Sequence, residues 1–214
     1  MPKGACKLRT MFEVQPVTLE GNIVRLEPVQ DRHAADLAEA LDNDIFQYFA
    51  ALRPQSCSVP DVEKYLRALK VLPNVVPFAV VLKETGKAVG STTYMDIRAA
   101  HRGLEIGMTW YGKDYHGTLV NPEAKLLLLE HAFERLGCVR VQLKTDGRNL
   151  QSQRAIEKLG AKKEGVLRRH MIMFDGFVRD TVMYSILPEE WPDVKAGLLN
   201  RLGRGSELAA AEFS

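Results

Sequence analysis

The sequence is poor in cysteine. Its 214 residues include only three, Cys6, Cys57 and Cys138. An odd number of cysteines without metal-like spacing favours reduced thiols in a reducing cytoplasm over a disulfide framework. We therefore predict neither disulfide bonds nor a metal centre.

Long apolar runs are also missing from the sequence. No stretch approaches the roughly 20 apolar residues that a membrane-spanning helix needs. The first residues, MPKGACKLRTMFEV, lack the apolar core of a signal peptide. We therefore expect a cytoplasmic protein without a membrane partner.

Neither sign of charge is in clear excess. Lys and Arg number 29 against 27 Asp and Glu, a net charge of +2. Because no dense basic stripe is present, we expect no nucleic-acid binding. The length predicts a single domain. We assign it to residues 18–202, between an N-terminal arm (1–17) and a flexible C-terminal tail (203–214).

The stretch LEIGMTWYGKDYHGTLVNPEAKLLLLEHAFERL organises the chain. It predicts a strand at Leu104–Trp110, a turn-rich loop at Tyr111–Asn121, and a long helix that Pro122 opens. Apolar residues cover so much of this helix that we expect it to be buried against a sheet. A strand entering a helix through a tight loop directs backbone N–H groups at an anion. The loop is therefore predicted to hold a phosphorylated cofactor.

The remaining segments predict further strands and helices. The strands are Ile23–Val29, Phe78–Leu82, Ala88–Met95, Val139–Thr145, Lys162–Val166, Arg168–Phe174 and Phe177–Leu187. The helices cover about 31–41, 61–72, 149–158 and 188–202, with Asp31 and Asn149 as caps and Pro188 opening the last. This order predicts an α/β (α+β) fold, a mixed sheet covered by helices.

Four stretches occur in this arrangement: VTLEGNIVRLEPV, LEIGMTW, TDGRNLQSQRAIEKLGAKKEGVLR and DGFVRDTVMYSILPEEWP. Together they resemble the GNAT superfamily of acetyl-CoA-dependent N-acetyltransferases, and most of all its ribosomal-protein N-terminal (Ser/Ala) acetyltransferase branch. The resemblance covers roughly residues 18–191. It implies a mostly antiparallel sheet with helices on both faces, in which the fourth and fifth strands splay apart.

The resemblance also implies where acetyl-CoA binds. The pantetheine arm would lie between the splayed strands, along Met108, Thr109 and Trp110. The pyrophosphate would lie on the following loop. The family's loop pattern, Arg/Gln-x-x-Gly-x-Gly/Ala, matches His116, Gly117, Thr118, Leu119, Val120 and Asn121.

Two small residues of that loop pattern are replaced here, by Leu119 and Asn121. Glycine lets a backbone approach phosphate closely. We expect the side chains of Thr118, Asn121 and Lys125 to compensate as hydrogen-bond donors, with Lys125 in the first turn of the helix. A solvated surface charge is the alternative for Lys125.

Acetyl transfer to an amine needs a base, because a primary amine is mostly protonated at neutral pH. The resemblance implies Glu105 for this role, beside the splay. A structural ion pair, or a strand residue that faces outward, is the alternative. His170 could also act as a base, and a solvated histidine is the alternative there.

The departing thiolate needs a hydrogen-bond donor. Many relatives use a tyrosine where this chain has Ile156, so Ser152 is the implied substitute. An ordinary residue in the first helical turn is the alternative. Asn149 is expected to cap that helix and also to bond the pantetheine.

The predicted function is therefore acetyl transfer to a primary amine by direct attack on the thioester. The acceptor could be a protein N-terminus, an amino-acid analogue, a polyamine or an aminosugar. A catalytically idle CoA-binding or protein-interaction module is the alternative, and another acyl donor such as succinyl-CoA stays open. We expect the EEWP motif to be structural, with a homodimer contact through the last helix as the alternative.

Overall fold

The structure, a computed structural model, describes residues 12–42, 44–50 and 52–205. The strands are β1 (Leu19–Glu20), β2 (Val24–Pro28), β3 (Val76–Leu82), β4 (Ala88–Arg98), β5 (Gly103–Tyr111), β6 (Arg140–Asp146), β7 (Lys162–Ile172) and β8 (Val178–Ile186). The helices are α1 (Ala34–Ala40), α2 (Val59–Lys70), α3 (Val120–Glu130), α4 (Leu150–Leu159) and α5 (Trp191–Arg201). A π-helical turn, His131–Arg135, extends α3.

The strands form an eight-stranded sheet in the order β1-β2-β3-β4-β5-β6-β8-β7. Every neighbouring pair is antiparallel except β5 and β6. These two are parallel because α3 carries the chain back to the starting edge between them. The predicted mixed, mostly antiparallel sheet is confirmed.

Helices cover both faces of the sheet. On one face, here called the α3 face, α3, α4 and α5 enclose the larger apolar core. On the other, the α1–α2 face, α1 and α2 enclose a smaller core that includes Trp110. Residues Pro122 to Leu129 of α3 are all buried, which confirms the prediction for this helix.

β5 and β6 separate soon after they begin. Only Gly103–Glu105 pairs with Arg140–Gln142, although both strands continue well beyond this point. Past Glu105 and Gln142 the two strands no longer bond to each other, so backbone N–H and C=O groups line the gap. The predicted splay is confirmed, and we call this gap the β5–β6 opening.

The start of α3 differs from the prediction. The helix begins at Val120, two residues before Pro122. Proline is tolerated this early because the first N–H groups of a helix have no intrahelical partner. Lys125 consequently lies in the second turn of α3 and not in the first, so that part of the prediction was wrong.

Other element boundaries also differ. The last helix begins at Trp191 and not at Pro188, because Pro188 lies in a preceding turn that Glu190 N–H closes onto the Leu187 carbonyl. Asp31 does not cap α1; its carboxylate accepts a hydrogen bond from Lys70 at 2.7 Å. The two extended segments expected within 162–174 form one strand, β7, with shifts of register.

A fully buried carboxylate joins α3 to the first strands. Glu123 accepts hydrogen bonds from the backbone N–H groups of Asn22, Ile23 and Val24, over 2.6–2.9 Å. The turn comes so close that a Cβ on Gly21 would lie 2.6 Å from the carboxylate. Glu123 therefore holds the β1–β2 turn against the helix.

The predicted terminal segments are described only in part. Of the arm at residues 1–17, Phe12, Val14 and Val17 pack against the larger core, and residues 1–11 lie outside the described residues. Of the tail at 203–214, the structure describes 203–205.

Candidate active site

A bulge shapes β5 within the opening. The pairing of β5 with β4 shifts register between Gly107 and Trp110. Met108, inside this shift, has φ = +47°, a conformation uncommon for a residue with a side chain. Thr109 hydrogen-bonds residues of the α3 face, whereas Trp110 is buried in the α1–α2 core. Of these two residues, Trp110 can therefore offer a ligand only its backbone, and Thr109 also its hydroxyl.

Lys125 projects from α3 onto this part of β5. Its Nζ donates to Thr109 Oγ1 at 3.0 Å, and Thr109 Oγ1 lies 2.8 Å from Thr92 Oγ1. Among the described residues no carboxylate forms an ion pair with Lys125, which is 8% exposed. Burial lowers the pKa of this lysine to about 7. The alternative of a solvated surface charge was wrong.

The loop between β5 and α3 is held by its own side chains. His116 Nε2 donates to the Tyr111 carbonyl at 3.0 Å, and the Thr118 hydroxyl donates to the Tyr115 carbonyl at 2.8 Å. Thr118 is thus already engaged within the loop. Asn121 Oδ1 accepts from the Tyr111 hydroxyl at 3.1 Å, which leaves its amide N–H groups as donors.

Leu119 precedes the first residue of α3. Its φ of −78° is accessible to any residue, so the backbone conformation here does not require glycine. The side chain is 43% exposed. The helix end keeps its first N–H groups without intrahelical partners. The loop therefore fits an anion through its backbone despite the loss of glycine.

Glu105 lies where β5 and β6 part. It is 1% exposed, and its Oε2 accepts from Gln142 Nε2 at 2.9 Å and lies 3.0 Å from Lys144 Nζ. Both partners are on β6. The glutamate therefore forms the ion pair that was left open as its alternative role, at the position expected for a base.

A second charged group lies near the end of β6. Asp146 is buried and accepts hydrogen bonds from the Arg148 guanidinium and from Arg148 N–H, over 2.8–3.1 Å. Arg148 also stacks on Phe177, 3.6 Å from the ring centroid. Arg148 therefore neutralises the Asp146 carboxylate and packs against Phe177 beside it.

Arg179 on β8 is 5% exposed. Its Nε donates to Thr181 Oγ1 and its Nη1 to the Tyr48 carbonyl, both at 3.0 Å. Burial lowers the pKa of Arg179, while the carboxylates of Asp146 and Glu105 oppose that shift. Neither Arg179 nor Lys144 was predicted from the sequence, since both depend on partners that are distant in the chain.

The start of α4 follows the predicted pattern. Asn149 caps the helix, its Oδ1 accepting from Ser152 N–H at 2.9 Å, which confirms the capping role. Ser152 is half-buried, and its hydroxyl makes no hydrogen bond with the described residues. Ile156, at the position of the absent tyrosine, packs in the larger core.

Other sequence candidates lie outside this constellation. His170 is exposed on β7. Cys138 is buried, and burial raises the pKa of its thiol to about 12, as expected for an unreactive cysteine. Trp191 stacks on Phe133 and donates to Glu134 at 2.8 Å, which confirms its structural role.

The described residues contain neither a metal-binding cluster nor a membrane-spanning helix. No group of three or more His, Cys, Asp or Glu in residues 12–42, 44–50 and 52–205 could hold a metal ion. No helix in these ranges is long and apolar enough to cross a membrane.

Comparison with known proteins links this geometry to a family. Residues 24–162 match the acetyltransferase (GNAT) domain model. A Bacillus subtilis (strain 168) protein provisionally named ribosomal N-acetyltransferase YdaF is 30% identical over 110 residues, which are 51% of this chain and 59% of that protein. The match to another curated relative covers 63% of its length. The chain thus spans less than two thirds of both relatives.

Solved structures extend the match to most of the chain. A crystal structure from T. thermophilus, provisionally named as an acetyltransferase, is 39% identical with a TM-score of 0.82, covering 89% of this chain and 99% of that one. The fold is also that of Mycobacterium smegmatis RimJ in complex with CoA-disulfide, at 24% identity, a TM-score of 0.70, and 89% and 94% coverage. Since the family model covers more than half of the sequence, the chain belongs to the GNAT acetyltransferase family.

Proposed function

We propose that this protein is an N-acetyltransferase that uses acetyl-CoA to acetylate a primary amine, on a protein N-terminus or on a small molecule. One observation carries the proposal. The β5–β6 opening has the carboxylate of Glu105 at its closed end and the N-terminus of α3 beyond its open end. Acetyl transfer from acetyl-CoA to an amine needs both features. The helix N-terminus anchors the phosphates of the cofactor, and the carboxylate accepts the proton of the amine.

Acetyl-CoA supplies the activated acetyl group. The backbone of Met108, Thr109 and Trp110 would bond the pantetheine arm as an added strand, because the facing edge of β5 has no strand partner there. The loop His116–Asn121 would receive the pyrophosphate, with the Asn121 amide as a side-chain donor in place of a closer backbone contact. Lys125 would add a cation behind the loop.

Glu105 would take the proton from the acceptor ammonium, directly or through a water. Its ion pair with Lys144 holds the carboxylate in position. Ser152 would stabilise the departing thiolate, because its hydroxyl lies in the first turn of α4 without another hydrogen bond to the described residues. His170, Gly117 and Thr118 have no chemical step in this proposal.

An idle CoA-binding module is the second candidate. The exposed leucine at position 119, where the pattern has glycine, favours it. Calorimetric titration of acetyl-CoA into the purified protein, followed by an amine screen for released CoA, separates the two. We expect binding at micromolar acetyl-CoA, competition by CoA, and turnover with at least one amine. Binding without turnover on any amine would favour the idle module, and no binding at millimolar acetyl-CoA would overturn both.

Replacing Lys125 with methionine tests its buried charge. We expect K125M to exceed the wild type in free energy of unfolding by about 1–4 kcal/mol at pH 7, and to bind acetyl-CoA more weakly. A lysine whose pKa is about 7 when folded and about 10.4 when unfolded removes stability as the pH falls from about 10 to 7. The difference between the two proteins should therefore shrink as the pH rises.

Urea unfolding of both proteins between pH 6 and 10 measures this effect, and calorimetry gives the affinity for acetyl-CoA. Lys113→Met is the matched control, since Lys113 is an exposed lysine of the preceding loop. A constant difference in stability across this pH range would contradict the interpretation of Lys125.

A further inference from the structure

The α1–α2 face of the opening has one positive charge more than it has negative charges to match. Glu105 is paired with Lys144, and Asp146 with Arg148. Arg179 has no carboxylate within 4.0 Å among the described residues. A buried charge without a counterion is costly, so this position favours an anion when the site is in use.

The guanidinium of Arg179 has N–H donors that form no hydrogen bond with the described residues. Only Nε and Nη1 hydrogen-bond the described residues, to Thr181 and to the Tyr48 carbonyl. Nη2 forms no hydrogen bond with them, and it is accessible to solvent. One side of the guanidinium thus remains available to a ligand.

Arg179 is also placed to reach a molecule that reacts beside Glu105. Burial lowers the pKa of Arg179, and the carboxylate of Glu105 is close enough to oppose that shift. Arg179 is anchored by the segment that links α1 to α2, through Tyr48. Because Arg148 and Asp146 offset each other's charge, Arg179 is the unmatched cation here. An acceptor with several positive charges would be repelled here.

We propose that Arg179 binds a carboxylate of the acceptor, so that the preferred acceptors are primary amines that also carry a carboxylate. This inference rests on the proposed acetyltransferase function. The amine lies toward Glu105, and the carboxylate takes the free side of the guanidinium in a charge-assisted hydrogen bond. Polyamines and aminosugars without an acidic group are then poor acceptors.

The test compares matched acceptors that differ only in the carboxylate. Free amino acids are assayed against their C-terminal amides, and short peptides with Glu at the second position against the same peptides with Gln. We expect kcat/KM to be at least tenfold higher for one carboxylate series than for its amide series. The series that shows the preference tells whether the carboxylate belongs to a free amino acid or to a peptide side chain.

Arg179→Gln should abolish this preference, mainly through a higher KM for the carboxylate acceptor. Its affinity for acetyl-CoA should change less than twofold. Arg179→Lys keeps the charge and should retain part of the preference. Arg53→Gln is the matched control, because it removes an exposed cation stacked on Phe174 and should leave the preference intact.

Two results would overturn the inference: equal or better use of amides by the wild type, or a preference that persists in Arg179→Gln. Thermal unfolding of each variant shows whether loss of the Tyr48 contact has disrupted the fold, in which case Arg179→Lys decides. If no amine is acetylated, the proposed function fails separately. Calorimetry with the same carboxylate and amide pairs in the presence of CoA then still tests Arg179, since in one series only the carboxylate member should bind, and only to the wild type.

Discussion

Replacing Glu105 with glutamine is expected to lower kcat/KM by about 10²-fold to 10⁴-fold at pH 7, the usual range for a lost general base. The glutamine oxygen can still accept from Gln142 and Lys144, which now bond the carboxylate. The fold and acetyl-CoA binding should therefore be preserved. The loss should fall as the pH rises past about 8, since an acceptor α-amino group deprotonates there without help.

Steady-state rates from pH 6 to 9.5 with one α-amino acceptor measure this effect. Glu164→Gln is the matched control. Glu164 on β7 pairs with Arg140 on β6, across the intervening strand β8. The hydrogen bond from Arg140 lowers the pKa of Glu164 to about 2. Unchanged kcat/KM in Glu105→Gln would leave the ion pair with Lys144 as the whole role of Glu105.

Replacing Glu123 with alanine is expected to destabilise the protein by about 3–5 kcal/mol. Three backbone N–H groups of the β1–β2 turn would lose their acceptor, and a buried group left unsatisfied costs about 1–3 kcal/mol. Glu123→Gln keeps one oxygen as an acceptor and should cost about half as much. Since both variants lose the charge, which pairs with Arg204, the difference between them measures the hydrogen bonds.

Urea unfolding followed by circular dichroism gives these free energies. Glu130→Ala on the same helix is the control, because its carboxylate is partly exposed and pairs only with Lys195 among the described residues. We expect that change to stay within about 0.5 kcal/mol. A loss of less than 1 kcal/mol in Glu123→Ala would mean that water replaces the carboxylate in the turn.

The local pattern of apolar and turn residues in the sequence was sufficient to predict most of the fold. The apolar content of α3 predicted its burial, and Gly86 and the Asp175-Gly176 pair predicted hairpins that are present as β3–β4 and β7–β8. The splay of β5 from β6 came from the resemblance, because no property of either strand alone reveals it. β1 was missed because a two-residue strand has no periodicity to detect.

The site was predictable only where a residue type or the family resemblance carries the signal. Asn149 is of a type that commonly caps helices, whereas the resemblance implied Glu105. Lys144 and Arg179 could not be found, because their roles depend on Glu105, 39 residues earlier, and on Tyr48, 131 residues earlier. Lys125 was placed one turn too early because α3 begins without a side-chain cap to mark its start.

The position of β7 at the end of the sheet has a consequence for solubility. One side of this strand has no neighbour among the described strands, and such an edge is a template for pairing with the same edge of another molecule. β7 carries exposed Lys162, Lys163, Arg168 and Arg169. Two copies brought edge to edge would place these like charges together, so the strand that ends the sheet also discourages aggregation through it.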